Sequence, residues 1–209
     1  MPNPPRLLKC IGVCNVVFML ESDAGPAILT FRGGNNEQMN NVGRVQNTDW
    51  DDAAYAAVKV RAAGTNLDPV TLLATDYLNH FNEIVMLLEM VPDMPEILED
   101  AQEWQPKPYV AHFETSTIAD KDLAIEAYPH VPPEFKAPFE ETVQLIDALI
   151  VSTVQQLDDK LKAGETNLAR EIAVERSRNI QRLMDAASAI MHGATETLAQ
   201  DEIDRLMGN

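Results

Sequence analysis

The chain has 209 residues, enough for one domain or one and a half, and 45% of them are hydrophobic, ample for a buried core. Its 33 acidic against 16 basic residues give a formal charge of −17, a field that repels phosphate backbones and anionic lipid and so argues against nucleic-acid and membrane-surface binding. The composition fits a soluble, cytoplasmic protein of bacterial type, or one whose partners are basic.

The first apolar run, "CIGVCNVVFML" after Arg6 and Lys9, has the outline of a signal peptide. Prolines crowd its start, Asn15 interrupts it, and "ESDAGPA" is a poor cleavage site. The run is also shorter than the roughly 20 residues needed to span a bilayer. It reads instead as a strand, turned by "ESDAGP" into a second strand "AILTF", which together predict a small β-hairpin. Cys10 and Cys14 have no His or further Cys nearby and read as buried thiols rather than a zinc site. The polar, Asn-rich stretch 33–48 reads as loop, and its "GG" lacks the spaced glycines and lysine of a phosphate-binding loop.

Helical signals dominate from Asp49. Thr48 or Asp49 can cap "WDDAAYAAVKVRAAG", which closes on a glycine. Asp68 before Pro69 predicts another start, followed at helical spacing by Leu72, Leu73, Tyr77, Phe81, Ile84, Val85 and Leu88 as far as Pro92. Residues 92–138 are punctuated by prolines, with short helices over "MPEILEDAQEW" and "ADKDLAIEAY" and a break at "YPHVPPEFKAP". The methionines of "EMVPDMPE" read as fillers of core gaps, and Trp104, Phe113, Phe135 and Phe139 as packing residues. Two long amphipathic segments follow, separated at Gly164 and closed at Gly193, which predicts an antiparallel helical hairpin. The expected fold is mainly α: a helical bundle over 49–193 with a long antiparallel hairpin, a small N-terminal β-hairpin-like segment with its loop over 1–48, and a C-terminal amphipathic peptide over 194–209. Three long amphipathic helices are few for covering all their apolar stripes, so a homodimer is a further expectation.

Candidate chemistry is sparse. His80 lies three residues before Glu83, and "HFE" pairs His112 with Glu114, so His and carboxylate groups on two helices could converge on a metal. A di-iron bundle uses Glu-x-x-His on two helices, whereas this chain has one His-x-x-Glu. No Gly-x-Ser-x-Gly or other nucleophile arrangement is present in the sequence. The reading assigns no catalytic residue, no metal ligand and no cofactor. His192 beside Gly193 suits a helix C-terminus, where the dipole favours a cationic imidazole.

The tail is more specific. In "LAQDEIDRLM" a helix would gather Ile203, Leu206 and Met207 on one side, with Leu198 and Ala199 extending the stripe and Thr195 or Thr197 as cap. About three turns are marginal alone in water, so such a peptide needs a surface. Residues 198–207 resemble the short peptide of flagellar motor switch proteins, roughly Leu-Ser-Gln-x-Glu-Ile-Asp-x-Leu-Leu, with Ala199 and Met207 in place of Ser and the last Leu. In that family the peptide binds the phosphorylated chemotaxis response regulator, and a related peptide ends the chemotaxis phosphatase, a dimeric bundle on a long helical hairpin. The phosphatase pattern Asp-x-x-x-Gln is approximated here only by Glu140 and Gln144. The resemblance implies a non-enzymatic regulatory or adaptor protein that docks onto a protein partner, in the sharpest case a response regulator. Leu198, Gln200, Asp201, Glu202, Ile203, Asp204, Leu206 and Met207 would form the contact. The competing expectations are a metal-binding bundle or enzyme using His80, Glu83, His112 and Glu114, or a response-regulator phosphatase.

Overall fold

The computed structural model describes residues 51–195 and 198–208; the hairpin and loop expected over 1–48, with Cys10 and Cys14, lie outside the described residues. In chain order the described helices are α1 (Asp52–Ala62), α2 (Asn79–Met90), α3 (Ile97–Glu103), α4 (Tyr109–Thr115), α5 (Lys121–Ala127), α6 (Pro133–Lys162), α7 (Thr166–Met191) and α8 (Gln200–Met207). Among the described residues there is no strand, only one antiparallel bridge between Leu67 and Ala74. No described helix is long and apolar enough to cross a membrane.

The α6–α7 hairpin is the frame. Gly164, at φ +75°, takes the left-handed conformation that lets the chain leave α6 and enter α7 within three residues. Ile146, the pair Leu149 and Ile150, Thr153 and Leu157 of α6, and Ile180, Leu183, Ala187 and Ile190 of α7, recur at three- and four-residue intervals and are essentially fully buried. Each large side chain so buried contributes about 1.5–3 kcal/mol. The buried hydroxyl of Thr153 in α6 donates to the Leu149 carbonyl (2.6 Å), so it enters the core without an unmet donor. The stripe of the hairpin is covered within the chain: α2 packs on α7 and α3 on α6.

Several sequence-based expectations are corrected here. The cap of α1 is Asp51, whose carboxylate accepts from the amides of Ala53 and Ala54 (2.9 and 3.0 Å). The long helix expected from Pro69 to Pro92 forms only over Asn79–Met90, and its first part is a single turn. Asp68 Oδ1 accepts from Val70 and Thr71 (2.8 and 3.0 Å) and the Leu72 amide donates to the Asp68 carbonyl, after which Leu72 turns left-handed at φ +63°. Leu72 and Leu73 are wholly buried by this turn, and the next helix waits until a 3₁₀ turn over Thr75–Leu78 leads into α2. The break expected over "YPHVPPEFKAP" is confined to residues 128–132, where a 3₁₀ turn over Tyr128–His130 ends the preceding helix, because α6 already starts at Pro133 and runs through Pro138. Pro133 occupies the first turn, where its missing N–H is no loss, and Pro138 forfeits one helical bond that thirty residues of packed helix tolerate. Met90 and Met94 are not core fillers: they stand 38% and 36% exposed.

Candidate functional site

The histidines converge, without forming a metal site. His80 on α2 and His112 on α4 have ring centroids 6.0 Å apart, inside an aromatic cluster that includes Tyr77, Phe81, Trp104 and Phe113. Trp104 stacks on His80 at 4.9 Å and donates its indole N–H to the His80 carbonyl (3.3 Å). His80 Nε2 lies 3.1 Å from the carbonyl of Gln105, which only an N–H can satisfy, so the ring is assigned the Nε2-protonated tautomer. Burial, then the neighbouring His112 and Lys107, push the His80 imidazole down to about 4. Burial, followed by Lys107, lowers His112 as well, and its Nε2 is enclosed with no hydrogen-bond partner. Glu83 and Glu114 are both exposed. Among the described residues no three His, Cys, Asp or Glu side chains come together as a metal would require.

Beside this cluster a cavity of about 480 Å³ opens between α6, the 106–108 loop and α4. Tyr77, Tyr109, Tyr128, Phe139, Glu140 and Asp147 are among its walls. The aromatic rings are packed on one another: Tyr109 stacks on Tyr128 at 4.5 Å, and Tyr77 meets Phe139 edge-on at 5.7 Å. Their hydroxyls are engaged. Tyr77 donates to the Lys107 carbonyl (2.7 Å), Tyr128 donates to Glu140 Oε1 (2.7 Å), and Tyr109 accepts from the Ala74 amide (2.8 Å). Burial, then the adjacent Asp147 charge, raises Tyr77; burial, then the Glu140 carboxylate, raises Tyr128, so both phenols stay neutral. Asp147 differs from these groups. Its Oδ1 is shut off from solvent with no partner, and burial pushes its carboxyl up to about 6. Glu140 and Gln144, the near-match to the phosphatase pattern, both line this cavity, but Glu140 is engaged by the Tyr128 hydroxyl. The sequence reading noted that pair and missed Asp147, although the Glu140, Gln144, Asp147 spacing of four and three places all three on one face of α6.

The C-terminal peptide lies on α7 of its own chain. Its helix begins at Gln200 with Ala199 as cap and no side-chain cap, so Thr195 does not serve. Leu206 is 3% exposed, Leu198 and Met207 are half-buried against the core, and Ile203 is half-buried, while Gln200, Asp201 and Asp204 are exposed. The carbonyls that end α8 are met from α7: Arg176 Nη1 donates to Leu206 and Met207 (3.4 and 3.1 Å), and Asn179 Nδ2 to Leu206 (3.1 Å). Glu202 pairs with Arg182 at 3.4 Å. Gly208 takes φ +81° beside the Arg176 guanidinium, where a Cβ would fall 2.8 Å from Nη2. His192 ends α7 with Nδ1 3.7 Å from Asp68 Oδ2. Compared with protein-family models, curated proteins and solved structures, the chain matches none.

Proposed function

We propose that this is a non-enzymatic helical adaptor or regulatory protein whose C-terminal peptide docks onto a partner protein, most specifically a response regulator of the chemotaxis type. The observation that carries the reading is the way α8 is held. One fully buried apolar side chain, Leu206, and a few polar ties from Arg176, Asn179 and Arg182 fix it to α7. A helix of two turns with that little burial detaches at small cost compared with the hairpin beneath it. Leu206, Met207 and Ile203 would then enter a groove on the partner, and Asp201, Glu202 and Asp204 would meet its basic residues. Resting on α7 keeps this apolar face covered in the absence of the partner.

The test removes residues 196–209 and measures two things. Thermal unfolding of the truncated chain should stay close to that of the full chain, and the full chain should capture a phosphorylated response regulator that the truncated chain does not. The reading fails if truncation unfolds the bundle, or if the full chain captures neither the phosphorylated nor the unphosphorylated regulator.

A further inference from the structure

The outward face of α2 is apolar along its middle. The inward side of the helix buries Phe81, Ile84, Val85 and Leu88, while Asn82, Glu83, Met86, Glu89 and Met90 are exposed. Met86 stands 63% exposed. The Met94 amide donates to the Met90 carbonyl (3.0 Å), so one further turn follows α2, and Met86, Met90 and Met94 recur every four residues as a single ridge. Val91 and Pro92, within that turn, are buried and fix it to the core.

The ridge has acids on both sides. At about 100° per residue, Glu83 and Glu89 fall on opposite flanks of Met86 and Met90. Among the described residues neither they nor the exposed Glu96 pair with a base, whereas Asp93 is held by Arg170 at 2.5 Å. Methionines make an adaptable apolar surface, because an unbranched thioether side chain refits to its partner. The flanks select the occupant, since free carboxylates attract bases and repel acids. A second copy of this chain, laid ridge to ridge about a two-fold axis, would set Glu83 and Glu89 against the same acids. The formal charge of −17 adds to that repulsion.

We propose that the ridge of Met86, Met90 and Met94 docks a basic amphipathic helix of another protein, its apolar stripe on the methionines and its lysines or arginines against Glu83, Glu89 and Glu96. A ridge of four-residue spacing interdigitates with the like ridges of a second helix at a crossing of about −50°. The methionines supply the apolar contact, and the acids on the two flanks orient the incoming helix. The surface is separate from α8 and stands whether or not the tail binds a regulator.

Fluorescence anisotropy on the full chain at pH 7.5 and about 0.15 M salt, where exposed charges are screened beyond about 8 Å, tests this. The probes are two labelled peptides of identical leucine and lysine composition, one with leucine confined to one helical face and one scrambled. The amphipathic peptide should bind at least about tenfold more tightly. Met86→Gln combined with Met90→Gln should bring it down to the level of the scramble, because exposed glutamines keep the helix and remove only the apolar contact. Glu83→Gln combined with Glu89→Gln should weaken binding several-fold and flatten its dependence on salt. Removing residues 196–209 should change none of this, which separates the ridge from the tail. Equal binding of the two peptides, no binding of the amphipathic one, or binding that disappears with the tail would each overturn the assignment. So would binding that survives both methionine substitutions in a protein of native circular dichroism. A dimer of the chain that those substitutions dissociate, seen by sedimentation, would give the face to a second copy and overturn it too.

Discussion

Asp147→Asn should make the protein more stable at neutral pH. The substitution keeps the shape of the side chain and removes a charge that burial disfavours. In the folded chain the carboxyl is held at about 6 instead of its ordinary 3.8, and that gap is worth about 3 kcal/mol at 1.36 kcal/mol per pKa unit. Because the side chain is only half-buried, screening by water reduces this to about 1–2 kcal/mol. The sign follows from linkage: a carboxyl with a raised folded pKa favours the folded state at low pH and costs stability as pH rises through about 6. The advantage of the variant is thus complete above pH 6, shrinks between about 6 and 3.8, and vanishes below. Urea unfolding of both proteins at pH 7.5 and pH 4 measures it, with unchanged denaturant slopes showing that the same surface unfolds. A variant less stable at pH 7.5, or an advantage that does not change with pH, refutes the reasoning.

Thr71→Val removes a wholly buried hydroxyl that donates to the Met191 carbonyl at 2.6 Å, tying the turn before α2 to the end of α7. The expected loss is about 1–3 kcal/mol in urea unfolding, and a loss below about 0.5 kcal/mol contradicts the bond's importance. His80 should titrate near 4 when its ring protons are followed by NMR, and a midpoint near 6.5 contradicts its burial between Trp104 and His112. With its folded pKa depressed, His80 withdraws stability as pH falls from 6.5 toward about 4.

The hairpin was legible because the apolar spacing in α6 and α7 is regular and Gly164 separates them. The amphipathic tail was legible for the same reason, and its two-turn helix fits the marginal length expected of it. The turn at 68–74 was not, since an Asp-Pro helix start and a helix-stopping Asx turn begin with the same residues. What decides between them is whether Leu72 goes left-handed, and a leucine gives no warning of that. Pro138 misled in the opposite direction: a proline reads as a break, but the packing of Phe135, Phe139 and Ile146 holds the helix across it. The cavity was hidden for a topological reason. Tyr77, Tyr109, Tyr128 and Asp147 lie 70 positions apart from first to last in the sequence, and only the packing of two 3₁₀ turns, α4 and α6 brings them to one cavity. The seat of α8 on α7 was equally hidden, because Arg176 and Asn179 look like ordinary surface residues until a helix end arrives above them.

The aromatic cluster and the cavity beside it have a joint consequence for how protons are exchanged when the chain unfolds. At pH 5 the buried His80 is mostly unprotonated when folded and gains about one proton on unfolding, its folded pKa being about 4 against 6.5. Asp147 does the reverse, releasing about one proton as its pKa falls from about 6 to 3.8. The two exchanges nearly cancel, so between them these residues leave the unfolding equilibrium almost blind to pH in that interval. Two costly burials of opposite kind, one on α2 and one on α6, offset each other's pH dependence, which neither would do alone.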